Sequence, residues 1–161
     1  MFGWEFPPHI TGGLGTACFG LTKGLSKHGV EMMFVVPKAY GDEDQRAVRI
    51  LNASDISFDL EDSEYKEFWA NIKYMEVGSN IIPYVDPVEF SKVFEDNKKT
   101  GEKYTSNVFS KRYEFSGAYG VNLMEEVARY ALIGSGIAAK EKHDIIHAHD
   151  WQTYPAGSAA K

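Results

Sequence analysis

Residues 7–25 read PPHITGGLGTACFGLTKGL. Two prolines end the segment before them, and a Gly-Gly-x-Gly cluster opens the next one. From there Leu14, Ala17, Cys18, Leu21 and Leu25 recur at spacings of three and four, which lines one face of a helix. His28-Gly29 ends that helix with a cationisable side chain and a helix-terminating glycine. Upstream, residues 1–6 (MFGWEF) form a short apolar strand cut off at Pro7. Downstream, residues 30–36 (VEMMFVV) make a nearly continuous apolar run stopped by Pro37. A parallel strand covered by helices on both faces has this composition. Strand, glycine turn, helix and strand together make a βαβ unit.

The same alternation returns at the far end. Residues 122–141 carry Leu123, Val127, Tyr130 or Ala131, Gly134 and Ile137 on one helical face. Residues 144–149 (DIIHAH) then read as a short strand, and a further helix begins after it. Between the ends, residues 40–67 are polar and irregular apart from a possible strand at Arg49-Ile50-Leu51. Residues 69–77 and 80–85 look like two strands joined by Gly78-Ser79, and residues 92–105 form a polar surface segment. The expected fold is α/β and doubly wound, with a mostly parallel sheet and an insertion around residues 40–105.

At 161 residues the chain suits one domain with a substantial core. A net charge of −6 speaks against a nucleic-acid or anionic-membrane surface, because both need a clustered basic face. The acids Asp55, Asp59, Glu61, Asp62, Glu64 and Glu67 crowd one polar stretch, which reads as a solvated face. The lone Cys18 cannot form an internal disulfide and reads as a small buried hydrophobe. No apolar run is long enough to span a membrane and no secretory signal is visible, so the expected location is cytoplasmic.

In an open parallel sheet, ligands bind beyond the carboxyl ends of the strands. Two segments stand at such ends, Gly12-Gly13-Leu14-Gly15 and His147-Ala148-His149-Asp150-Trp151. The glycine turn offers backbone N–H groups and a helix N-terminus, with roughly half a positive charge. A phosphate or diphosphate suits that environment. Glycines there also serve simply to let the helix pack close to the sheet. Their spacing matches neither G-x-G-x-x-G nor a G-K-[ST] loop.

In the second segment, alternation along the strand puts His147 and His149 on one side and Ala148 on the other. Three readings compete. The histidines could ligate a metal, as in a metal-dependent hydrolase, although no further His or Cys cluster completes a site. His147 could pack in the strand while Asp150 caps the next helix. His149 could contact a sugar or nucleotide. Tyr84, Tyr104 and Tyr119 could stack on a sugar or belong to the core.

Taken together, FPPHITGGLGTACFGLTKGLSKHGVEMMFVVP and DIIHAHDWQTYPAG closely resemble the N-terminal half of glycogen and starch synthases. More broadly they resemble retaining glycosyltransferases built from two Rossmann-like domains, the GT-B fold. IIPYVDPVEF and NLMEEVARYALIGSGIA, with its Arg129-Tyr130-Ala131, resemble further segments of the same enzymes. The resemblance is clear over residues 1–37 and 122–157 and loose between them.

It implies one Rossmann-like domain over residues 1–161, the N-terminal, acceptor-side half of a two-domain enzyme whose C-terminal donor-binding domain is absent here. The implied reaction moves glucose from a nucleotide diphosphate glucose to an α-1,4-glucan or oligosaccharide acceptor, with retention and without metal or cofactor. The partners implied are the sugar donor, the glucan and the C-terminal domain of the same enzyme, with no nucleic acid and no membrane. Gly12 and Gly13 would lie against the diphosphate, and His149 would hydrogen-bond the transferring sugar as the catalytic-site residue. Asp150 would contribute to substrate binding chiefly by shaping the corner with Trp151. Glu125 or Glu126 stands at the family's acidic-or-amide position facing the sugar.

The sequence departs from the family at Ile10, where the synthases carry a lysine that touches the donor phosphates. The departure leans toward the wider hexosyltransferase group. His9 or Lys38 could supply the missing charge. Two other readings are a retaining GT-B enzyme with a different acceptor, and a non-catalytic nucleotide- or glycan-binding module.

Overall fold

The computed structural model describes residues 1–56 and 113–161. In chain order the elements are α1 (Gly13–Ser26), β1 (Met33–Val36), β2 (Arg49–Asn52), a 3₁₀ turn (Ala53–Asp55), α2 (Leu123–Lys140) and α3 (Tyr154–Ala159). The two strands pair in parallel, with Phe34 opposite Ile50 and Val35 opposite Leu51. The pairing extends beyond them through single bridges, Phe2 to Val35 and Phe2 to Ala148, both parallel. The N-terminal segment is therefore held on both sides. Gly3 N–H donates to Val35 O at 3.0 Å and Phe2 N–H to His147 O at 2.8 Å. The result is an α/β arrangement with parallel pairing, compatible with a Rossmann-like domain.

Side chains alternate across β1 as the pleat requires. Phe34 and Val36 join Phe6, Cys18, Met32 and Val48 in a cluster that α1 covers with Leu14, Phe19 and Leu25. Val35 points the other way, into a larger cluster with Phe2, Trp4, Phe115, Leu123, Val127, Tyr130, Ile133 and Ile137. With apolar contacts on both faces, the run around residues 32–36 has no polar side to show. Its first residues stay outside the strand: β1 begins at Met33, and Val30 is exposed.

Helix α1 packs with its inner face rotated from the one its apolar residues suggest, although Leu14, Cys18 and Leu25 do face the core cluster. Gly15, Cys18 and Thr22 are its buried residues, whereas Ala17 and Leu21 are exposed. Positions 15, 18 and 22 form a narrow i, i+3, i+7 stripe, and Thr22 can be buried because its hydroxyl donates to Phe19 O at 2.9 Å. Burial pushes the Cys18 thiol up to about 11, with the Glu5 carboxylate adding to the shift.

Helix α2 is buried over most of its circumference, from Leu123 to Ile137. Its Gly134 is where α3 docks. A Cβ there would stand 3.1 Å from Ala156 Cβ and 3.2 Å from Phe2, tighter than most packed carbons, so a neighbour would have to shift. Tyr130, fully buried, reaches from α2 to the sheet and shares its hydroxyl between Val35 O at 2.7 Å and Gly3 O at 3.1 Å. The segments 1–6 and 144–149, expected as strands, form single bridges rather than regular strands. The expected strands at 69–77 and 80–85, most of the 40–105 insertion, Tyr84 and Tyr104 lie outside the described residues. Tyr119 is buried in the larger cluster.

Candidate functional site

Parallel pairing sends the chain off the same edge of the sheet after Gly3, Val36, Asn52 and His149. The segments beyond these positions are residues 4–15, which run into α1, residues 37–43, the 3₁₀ turn Ala53–Asp55, and residues 150–153. The glycine turn and the His-Asp-Trp corner expected to carry function are both among them.

At the glycine turn, the N-cap residue Gly12 has no side chain with which to accept from the first helical amides. Glu5 does so from the neighbouring segment. Its carboxylate accepts from Thr11 N–H at 2.8 Å, Gly15 N–H at 3.2 Å and, more weakly, Gly12 N–H at 3.4 Å. Glu5 is only 6% exposed, so those bonds hold a buried charge. Gly15 is a packing glycine: a Cβ there would run into the Ile10 side chain and lie 3.2 Å from Glu5 Cγ. Gly13 is different, since a Cβ there would meet nothing within 4 Å.

Beside this turn, His9 and the loop after β1 form a latch. His9 Nε2 lies 2.8 Å from Asp42 Oδ1, and its ring stacks on Tyr40 with centroids 3.9 Å apart. Lys38 places its ammonium 5.3 Å from the Tyr40 ring centre. Glu43 anchors the loop by accepting from Tyr40 N–H and Gly41 N–H at 2.7 and 2.9 Å. His9 and Lys38, the two side chains considered as replacements for a lysine at position 10, are thus engaged with this loop.

At the second corner, His147 and His149 do share a side. Their rings stack with centroids 4.2 Å apart, and His149 also lies over Phe34. Burial holds the His149 imidazole down to about 4, with His147 adding to the shift, so it is neutral at pH 7. Its Nε2 is buried and has no hydrogen-bond partner among the described residues. A neutral imidazole with a free nitrogen can exchange a hydrogen bond with a hydroxyl but contributes no charge to a phosphate.

Asp150 takes the left-handed conformation, φ 68°, and its carboxylate accepts from Trp151 N–H at 2.7 Å. Thr153, not Asp150, is the N-cap of α3, and its hydroxyl donates to His149 O at 2.8 Å. Asp150 therefore shapes the turn that sets His149. Gln152 is fully buried, and among the described residues neither its amide atoms nor the Trp4 indole N–H has a hydrogen-bond partner.

The two glutamates of α2 have separate partners. Glu125 pairs with Arg129 at 2.9 Å, and that guanidinium lies 4.2 Å from the Tyr113 ring centre. Glu126 is fully buried and accepts from Ser116 N–H, Gly117 N–H and Asn122 Nδ2. It fastens the 116–117 turn to the start of α2.

Sequence reasoning passed over Glu5, although one signal was present. A lone carboxylate between Trp4 and Phe6, in an otherwise apolar run, must be paired or hydrogen-bonded if that run is buried. Among the described residues, no group of three or more His, Cys, Asp or Glu side chains could hold a metal ion. Nor is any described helix long and apolar enough to cross a membrane.

A family model described as the starch synthase catalytic domain matches residues 1–161. No curated protein and no solved structure matches the chain.

Proposed function

The chain belongs to the starch synthase catalytic domain family over its whole length, and on that premise we propose that it is the N-terminal, acceptor-side domain of a retaining hexosyltransferase. The donor is a nucleotide diphosphate glucose and the acceptor an α-1,4-glucan. The observation that carries this reading is the family match, together with the glycine turn and the His149 corner lying beyond adjacent paired segments at one sheet edge. Helix cover on both faces of β1 supports the doubly wound topology.

In this reading His149 meets the transferring glucose. Its neutral, unpartnered imidazole supports a hydrogen bond to a sugar hydroxyl. As the glycosidic bond breaks, the sugar gains oxocarbenium character and the diphosphate leaves with added charge. Preorganised hydrogen bonds at both places lower the barrier. Gly13, open on its outer side, supports close approach of the diphosphate. Gly12 contributes through the shape of the turn, since its N–H already points to Glu5. Asp150 acts through the corner. Glu125, held by Arg129, would have to exchange that partner to face a sugar. The reaction uses no metal or cofactor, and the enzyme works in the cytoplasm.

The nucleotide is held by a C-terminal domain, so residues 1–161 alone are expected to transfer no sugar. The test is incorporation of labelled glucose from ADP-glucose and UDP-glucose into glycogen by the two-domain protein. The expected product keeps the α configuration, and His149→Ala lowers kcat by roughly 100-fold. Absence of transfer from both donors rejects the reading. Ile10→Lys is expected to raise affinity for the donor, measured as a lower KM.

A further inference from the structure

We propose that Trp4, Gln152 and His149 close into one internal hydrogen-bond chain when a hydroxyl-bearing ligand occupies the corner, which makes Gln152 the positioning residue of His149. The inference rests on the proposed function only for the nature of that ligand, a neutral sugar.

Three observations carry it. First, all three side chains bury polar atoms that have no hydrogen-bond partner among the described residues: the Trp4 indole N–H, His149 Nε2 and both amide atoms of Gln152. Trp4 is 1% exposed and Gln152 0%, so solvent does not reach either side chain. An amide buried in this way is disfavoured against an apolar side chain of similar size, and packing alone gives no reason for it at position 152.

Second, the unmatched groups are chemically complementary. An indole N–H only donates, a carboxamide both accepts and donates, and an imidazole nitrogen without a hydrogen accepts. With Trp4 donating to Gln152 Oε1 and Gln152 Nε2 donating to His149 Nε2, each of these atoms has a partner. Burial keeps the imidazole neutral, as that order of donors requires.

Third, the topology gathers the three at one place. Phe2 bridges Val35 on one side and Ala148 on the other, so the segments 1–3 and 147–149 are neighbours. Helix α1, which follows the first segment, covers one face of the sheet; α2 and α3, which flank the second, cover the other. Helix cover therefore changes face between these two segments, and in open parallel sheets such a switch point is where ligands enter. Trp4 directly follows the first segment. His149 ends the second, and Gln152 belongs to the turn after it, where Thr153 N–H donates to Asp150 O at 3.0 Å and the Thr153 hydroxyl to His149 O at 2.8 Å.

The consequence is a fixed tautomer. With Nε2 accepting from Gln152, the imidazole hydrogen lies on Nδ1, and Nδ1–H is the donor that meets a ligand oxygen. Gln152 touches no ligand and acts through His149.

The experiment is side-chain NMR of the nitrogen-labelled 161-residue chain, titrated with glucose and with maltotriose. Wild type is compared with Gln152→Met, which keeps the length of the side chain and removes both amide atoms; Trp4→Phe assigns the Trp4 indole signal. Sugar is expected to shift His149 to the Nδ1–H tautomer and to move the Trp4 indole and Gln152 amide protons downfield together. Gln152→Met is expected to bind the sugar roughly tenfold more weakly and to keep a mixed tautomer, while being no less stable than wild type. A purely structural Gln152 predicts the reverse, a less stable variant with unchanged binding and tautomer.

A His149 shift that leaves the Trp4 and Gln152 signals in place overturns the proposal, and so does the absence of any sugar-induced change at the three residues. Both outcomes are read on wild type, whether or not a variant folds. Neither sugar needs the nucleotide or the C-terminal domain to be present. A protein whose three signals move together but which transfers no glucose rejects the hexosyltransferase reading and leaves this proposal standing.

Discussion

The glycine turn at residues 11–15 and the corner at residues 149–153 both lie beyond segments of the same parallel sheet, yet they treat their polar groups in opposite ways. At the turn, a buried carboxylate gathers three amides. At the corner, the backbone is fixed by Asp150 and Thr153, while His149 Nε2 and both amide atoms of Gln152 have no partner among the described residues. One region has its Thr11, Gly12 and Gly15 amides satisfied within the chain. The other keeps donors and acceptors unmatched, at a cost that a protein accepts mainly where a ligand or water will meet them.

This contrast can be broken most directly at Glu5. Glu5→Ala leaves three amides without their acceptor and is expected to lower stability by about 3 kcal/mol, read from the denaturant midpoint. A loss below about 1 kcal/mol would mean that water replaces the carboxylate freely. Gly15→Ala pushes a methyl group into Ile10 and Glu5 and should lower stability by about 2 kcal/mol. It should also move the Thr11 and Gly12 amide resonances. An unchanged melting curve would remove the packing role assigned to that glycine.

At the corner the sign reverses. Gln152→Leu removes an unpartnered buried amide and is expected to raise stability by about 1 kcal/mol. A loss instead would show that the amide has a partner, and the contrast between the two regions would fail.

A further test of the corner is a pH dependence at His149. Its folded-state pKa of about 4 lies below the ordinary histidine value of 6.5. Between these values the unfolded chain takes up a proton that the folded chain refuses. The stability due to neutral His149 is complete above about 6.5 and is lost as pH falls toward 4. Wild type should therefore lose more thermal stability than His149→Gln between pH 7 and pH 4.5. Parallel curves for the two proteins would show that the imidazole is freely solvated.

Much of the fold was legible because it rests on local periodicity. The spacing of apolar residues after Gly13, the run ending at Pro37 and the long helix beginning at Leu123 each announce an element without tertiary help. The strand at Arg49–Asn52 was visible in outline as well. Within α1, however, periodicity placed the buried face only approximately: Leu14, Cys18 and Leu25 pack inward and Ala17 and Leu21 do not. Leu21 is 36% exposed while Thr22 is fully buried, because contact with β1 favours the narrow stripe through Cys18. Hydrophobicity says that a helix has an inner face; the position of the sheet decides which one.

The site shows the same division. Sequence by itself determined the two glycine-and-histidine corners, their order along the chain and the shared side of His147 and His149, since each comes from strand alternation or turn chemistry. Only the tertiary structure decided what fills the turn and what remains free. Glu5 and Gly15 are ten positions apart, Tyr130 and Gly3 are 127 apart, and Glu126 reaches back ten to Ser116. No local pattern encodes such pairings. They exist because a buried carboxylate or hydroxyl must find partners wherever the packed chain brings them, and that is settled when the sheet and helices close on one another.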